Sequence, residues 1–412
     1  MKHYKTEAGA LKNGLTVLSE YLPYSESFSL GITVKAGSYF TNKGTRGLAH
    51  ALEHLVFKRT AKFTARDIAE RFESLGAFVN AYTSNEYTCF YVRALSYHYE
   101  EVFELMSELI QNTVFNPAEV EREKNVILQE ISASQDDPED FIFDTADELL
   151  FGNHPFGFSI LGTKKTLKNV TIERLEEFRQ KFYTPDKMII CTVGNIKHNL
   201  IMQLTKKHFN HIPRSTDKAK PKALPELKHN EKTQVILKQP IHQVHTVYGK
   251  RYEKAERLPA AFVSMVLGDG MSSRLYQKIR DEEGLAYSVY TSMQSYSLCG
   301  LFYIYASSDN KNQDILISKI KVELEKIRKD GITYEEYLRA KEQLKSGFAL
   351  EMEDLSSRMQ SLSKKFVLYG EIVNVSDIFY RYDNVTYDEV SAFAKKLSED
   401  EHWYSVLLVP ED

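Results

Sequence analysis

The sequence predicts an α+β protein made of two copies of one unit, each a mostly antiparallel sheet packed with helices. Three observations carry that expectation. Short β-forming runs alternate with longer runs of helical period. The segment HIPRSTDKAKPKALPELKHN (211–230) combines three prolines with many charges and has little apolar periodicity. It stands near the middle of the 412 residues, and the half of the chain after it repeats the order of the half before it. At about 150 residues per domain, the division expected is a domain at 1–212, a linker at 213–229 and a second domain at 230–412.

Taken in order, GLTVLSEYL and FSLGITVKAGSY read as strands, the second ended by Gly37. RDIAERFESLG (66–76) sets Ile68, Phe72 and Leu75 at helical spacing and stops at Gly76, a C-terminal cap. EYTCFYVRAL (86–95) is a strand, and the next segment carries Val102, Phe103, Met106, Leu109 and Ile110 on one helical face. KMIICTVGNI (187–196) reads as a buried strand running into a turn.

The second half repeats this grammar. CFYVRAL (89–95) is answered by LFYIYAS (301–307), and each is followed by a helix. A shift of 217 then lays PAEVEREKNVILQEI on YEEYLRAKEQLKSGF, matching Glu119 with Glu336, Arg122 with Arg339 and Lys124 with Lys341. Under the same shift Glu123 meets Ala340 and Glu130 meets Gly347, so the second copy lacks two carboxylates that the first has.

Hydrophobic residues make up 42% and charged residues 27%, a globular balance with material for large cores. The 53 basic and 57 acidic residues nearly cancel, which gives no reason to expect nucleic acid. Cys89, Cys191 and Cys299 are widely spaced and odd in number, which argues against a disulfide framework and for a reducing compartment. The first residues, MKHYKTEAGALKNGLTVLSEYLP, lack the apolar core of a signal peptide, and no run of about 18 apolar residues is present for a membrane span. A cytoplasmic protein without membrane contact is expected.

Chemistry concentrates at His50-Ala-Leu-Glu53-His54. Leucine and alanine around it favour a helix, on which positions 50 and 54 share a face with 53 beside them. Two imidazoles so placed can reach one metal ion at about 2 Å, with a carboxylate alongside to take a proton from water. The motif alone supports a second reading, a polar stripe on a half-exposed helix. A third ligand is needed, and Glu130 is the candidate. It lies seven residues after Glu123 on a helix whose Val126, Ile127 and Ile131 are expected to pack inward, with both acids on the opposite face.

The run GLAHALEHLVFKRT (47–60), followed by LGAFVNAYTSNEYTCFY (75–91) and EREKNVILQEI (121–131), resembles the pitrilysin/insulinase family of inverted-motif zinc peptidases, and is closest to its short, processing-peptidase-like bacterial members. HPFGFSILGT (154–163), FYTPDKMIICTVGNI (182–196) and LGDGMSSRLYQKIRDEEGLAYSVY (267–290) extend the resemblance along the whole chain. It implies that His50, His54 and Glu130 are ligands of one zinc ion per subunit. Glu53 would be the general base and Glu123 an acid steadying the site. Asn80 and Ala81 would pair backbone with an extended substrate. Arg280 and Tyr287, read from residues alone as a surface charge and a strand tyrosine, would stabilise the oxyanion of the scissile carbonyl.

The implied activity is that of a zinc metalloendopeptidase cleaving peptides or unfolded segments held in extended form inside a chamber. Family chambers hold four such units. This chain supplies two, half of a clamshell, and so implies a homodimer whose Arg280 and Tyr287 complete the partner's site. The alternative is a noncatalytic assembly or peptide-binding subunit of the same family, although such subunits typically lose motif residues and here every one stands. Two positions depart from the family pattern: Thr41, where an acid is frequent, and Arg59, where glycine is. The long glycine-rich loop of the noncatalytic processing subunit is absent from the sequence. His242 and His245 have no partner acid in their strand-like segment, and Cys89 reads as a buried thiol; neither is expected to be a site.

Overall fold

A computed structural model describes residues 5–214, 233–399 and 403–411. Positions 215–229 of the expected linker lie outside them. The first sheet is built from β1 (Thr6–Ala10), β2 (Thr16–Tyr21), β3 (Ser27–Val34), β4 (Phe78–Thr83), β5 (Thr88–Leu95) and β6 (Met188–Gly194), in the order β1-β2-β6-β3-β5-β4. The second contains β7 (Gln234–Gln239), β8 (Gln243–Glu253), β9 (Ser288–Ser295), β10 (Cys299–Asp309) and β11 (Tyr404–Pro410), in the order β7-β11-β8-β10-β9.

Without β1 the two orders coincide strand for strand. The parallel pair sits at the same place in both, β2 with β6 and β7 with β11, and the other pairs are antiparallel. The repeat reaches single residues. Gly31 of β3 lies opposite Tyr91, and Gly249 of β8 lies opposite Tyr303. A side chain at Gly31 would strike Met359, and one at Gly249 would come within 2.7 Å of Leu150. Each glycine is a notch in the sheet where a covering helix comes close.

In both halves a helix precedes a β-hairpin and three long helices follow it, with further helices besides. The first half has α1 (Leu48–Val56), α2 (Ala65–Ser74), α3 (Tyr99–Asn112), α4 (Pro117–Asp136) and α5 (Pro138–Phe151). The second has α6 (Arg257–Leu267), α7 (Gln313–Asp330), α8 (Tyr334–Glu351), α9 (Leu355–Tyr369) and α10 (Tyr387–Leu397). The expected stop of α2 is observed: Gly76, with φ of 58°, donates its amide to the Glu73 carbonyl.

The compact units are not the contiguous blocks 1–212 and 230–412. One gathers residues 5–132, 158–214 and 350–377; the other gathers 133–157, 233–349, 378–399 and 403–411. Thus α5 belongs with the second sheet and α9 with the first. Both are ordinary amphipathic helices whose partners the local pattern does not name, which is why a division read along the chain misses the exchange.

In the first unit, β3 and β5 contribute Phe28, Leu30, Ile32, Phe90 and Val92 to a core closed by α1, α3 and α4. On the other side, Leu355, Met359 and Leu362 of α9 pack on Leu18, Ile189, Cys191 and Val193. There the Arg358 guanidinium forks onto the Glu20 carboxylate, both groups buried. In the second unit, α5 is held by hydroxyls: Tyr303 donates to Asp147 and Tyr290 to Glu139, while the Phe143 ring stacks 5.8 Å from Tyr305.

Candidate metal centre

The site is assembled by α1 and α4 in the first unit. Gly47 opens α1 at φ of 86°, and a side chain there would press to 2.5 Å from the Leu161 carbonyl. Gly162 faces it just as tightly, so the HPFGFSILGT segment clamps the first turn of α1. Leu48, Ala49, Ala51, Leu52, Leu55 and Val56 bury the other faces of the helix. His50 and His54 remain on the open stripe with ring centroids 4.5 Å apart.

Helix α4 corrects one expectation. Val126 is 40% exposed, and the buried stripe is Val120, Glu123, Ile127 and Ile131. Glu123 therefore lies among the core residues rather than opposite them. Glu130 sits at the margin of that stripe with its side chain 39% exposed.

The packing of α4 against α1 brings Glu130 Oε2 to 3.8 Å from His50 Nε2 and 3.6 Å from His54 Nε2, and the three ligand atoms lie within 4.8 Å of one another. Ligands about 2.0–2.2 Å from a tetrahedral zinc stand roughly 3.4 Å apart. The donor set and its spacing fit that ion. The second nitrogen of His54 supports the same reading. Its Nδ1 is 3.3 Å from Glu123 Oε2, so a proton donated there leaves the Nε2 lone pair directed at Glu130. Lys58 Nζ, 3.0 Å from Glu123 Oε1, holds that carboxylate from its other side. His50 is pushed down to about 4 by burial and by the neighbouring His54, which keeps its imidazole neutral and fit to bind metal.

Glu53 is buried at 9% exposure. Burial raises its carboxyl above the ordinary range, and the hydrogen bond donated by Thr83 pulls it partly back. Sequence reasoning missed Thr83 and Lys58. Alternation along β4 was the available signal for Thr83, since residues 79, 81 and 83 share one face of the strand. Asn80 and Ala81 lie on β4, which is paired with β5 alone among the described residues. Asn80 is exposed.

Arg280 lies on a π-helical segment, Tyr276–Glu282, of the second unit. Its guanidinium is 5.3 Å from the centroid of the Tyr287 ring, which is 75% exposed. These two side chains are brought together with each other, on elements distinct from those that build the histidine cluster.

Both departures from the family pattern have structural partners. Thr41 donates to the Ser38 carbonyl at 2.6 Å, closing a short turn. Arg59 forks onto Glu119, at 2.7 Å from Nη2 and 3.1 Å from Nε. Arg274 forks onto Glu336 in the same way, with both contacts at 2.7 Å. His245 bonds the Tyr305 hydroxyl at 2.8 Å, and burial pushes the Cys89 thiol up to about 11. No helix among the described residues is long and apolar enough to cross a membrane.

Known proteins share both the sequence pattern and the fold. Residues 16–164 match the family model described as insulinase (peptidase family M16), and residues 169–344 match the model described as peptidase M16 inactive domain. A Rickettsia felis protein named "Uncharacterized zinc protease" is 33% identical over 94% of this chain and 93% of its own length. The Bacillus subtilis protein named "Uncharacterized zinc protease YmxG" is 33% identical over 95% of each chain. Among solved structures, a protease from Helicobacter pylori superposes with a TM-score of 0.90 at 23% identity, covering 99% of this chain and all of the other. A Pseudomonas fluorescens structure described as a peptidase M16 inactive domain reaches 0.91 at 20% identity, over 99% of this chain and 98% of that one. With 33% identity along nearly its whole length and both family models matched in order, the chain belongs to the M16 peptidase family, the pitrilysin/insulinase family.

Proposed function

We propose that this protein is a zinc-dependent endopeptidase that cleaves peptides or unfolded segments bound in extended form. One observation carries the reading: His50, His54 and Glu130 converge, with the buried Glu53 carboxylate on the same helix. One zinc ion per subunit, held by those three side chains, supplies Lewis acidity toward water and a carbonyl oxygen. Glu53 takes a proton from the attacking water and returns it to the leaving nitrogen. Glu123 fixes the tautomer and angle of His54. The free edge of β4, at Asn80 and Ala81, takes the substrate backbone as an added strand.

The rest of the reading is assembly. Arg280 and Tyr287 form one exposed donor pair, suited to an oxyanion supplied from elsewhere. In the proposed cytoplasmic homodimer, the pair from one subunit completes the site of the other within a chamber of four units. The first half of the chain carries the zinc, and the second contributes substrate and oxyanion contacts.

A quenched-peptide assay on zinc-loaded protein, a chelated sample and Glu53→Gln tests this. Cleavage is expected only from the loaded wild type, with Glu53→Gln slowed about 100- to 10,000-fold while still binding zinc. A zinc-loaded wild type that binds peptide without cleaving it would instead identify a noncatalytic peptide-binding subunit.

A further inference from the structure

We propose that Thr83 is the positioning residue for the Glu53 carboxylate, and that it ties the base to the strand whose free edge takes the substrate. The inference rests on the peptidase reading above and names a group in the site that the motif does not contain. Glu53 accepts its hydrogen bond from Thr83 Oγ1 at Oε2. Among the described residues no donor reaches Oε1, so Oε1 is the oxygen left to take the proton.

The direction of that bond is set from behind. Thr88 Oγ1 lies 3.3 Å from Thr83 Oγ1 and donates its own hydrogen to the Ala36 carbonyl at 2.8 Å. A hydroxyl has one hydrogen. With the Thr88 hydrogen engaged on Ala36, the hydrogen of Thr83 is available to Glu53. Thr88 is fully buried in β5, so this backing does not move with solvent.

The strand supplies the coupling. Val79 and Ala81 pack on the core that contains α1, and Thr83 falls on the same face by alternation. Ala81 and Thr83 are roughly 6.5 Å apart along the strand. A peptide backbone paired at Ala81 is thereby registered against the base through two residues of rigid sheet. Without Thr83, a glutamate with three rotatable bonds would hold its carboxylate by packing alone. Misplacement by about 1 Å can slow proton transfer on the order of a hundredfold.

The experiment compares wild type, Thr83→Val, Thr83→Ala and Thr83→Ser, all zinc-loaded. It measures kcat and KM separately on a quenched extended peptide, and zinc affinity by competition with a chelating dye. Valine keeps the shape and removes the donor; alanine guards against a packing artefact of valine; serine keeps the donor. Thr83→Val and Thr83→Ala are expected to lose about 10- to 100-fold in kcat, with KM and zinc affinity unchanged and most of the loss recovered in Thr83→Ser. A kcat near wild type in both donor-free variants, or a Thr83→Ser loss equal to theirs, overturns the assignment while leaving the peptidase reading intact. Loss of zinc affinity in step with kcat overturns it in favour of a role in the ligand shell. An inactive zinc-loaded wild type overturns both.

Discussion

The two units share the order of five strands, a glycine notch in the strand under each covering helix, and an Arg–Glu fork at the start of each long helix, Arg59–Glu119 in one and Arg274–Glu336 in the other. What they do not share is the chemistry: Glu123 and Glu130 meet Ala340 and Gly347. The features present twice serve packing. Internal repetition thus separates the residues that build the unit from those that equip it. It also explains Arg59, which is a tie belonging to the fold, one that happens to follow the helix carrying His50 and His54.

The covering helices sharpen that comparison, because α9 is docked by a buried ion pair and α5 by a phenol on a carboxyl. Removing Arg358 strands the Glu20 carboxylate in the core, so Arg358→Ala is expected to destabilise the protein by about 3–5 kcal/mol in urea unfolding, with much of it recovered in the double variant Glu20→Gln/Arg358→Met. Next in size is Glu123→Gln, expected to weaken zinc binding about 10- to 100-fold in a dye competition while leaving the helix content of the circular dichroism spectrum unchanged.

Asp147 provides a pH signature for the other docking. Burial pushes its carboxyl from the ordinary 3.8 up to about 7, so the folded state favours the protonated form. That contribution to stability is complete below about 4 and is lost as pH rises through about 7. The melting temperature of wild type should fall across this window relative to Asp147→Asn, which lacks the titrating group; parallel curves would refute the assignment. The smallest effect separates the two forks. Arg59→Ala is expected to weaken zinc binding modestly, whereas Arg274→Ala leaves it unchanged.

Much of the site was legible because its residues obey local spacing. His50, Glu53 and His54 lie within one helical turn, so α1 presents them close together as its spacing implies, whereas α4 places Glu123 in its buried stripe and Glu130 at the margin. The wrong inner face of α4 has a physical cause: Val126 is exposed at the position where an apolar residue is expected inside, and Glu123 occupies the buried stripe where its partners His54 and Lys58 wait. Thr83, Arg59 and the docking of α5 and α9 escaped because each depends on an element distant in sequence. Alternation gives the face of Thr83 but not its partner, and a fork of arginine on glutamate leaves no periodic trace.

The exchange of α5 and α9 has a consequence for folding itself. Residues 133–157 complete the unit built mainly from the second half, and 350–377 complete the one built mainly from the first. A break in the middle of the chain would leave Arg358 on a different polypeptide from Glu20 and Asp147 on a different one from Tyr303. Neither core can close on the contents of its own half of the chain, so each unit forms only once both halves have contributed to it.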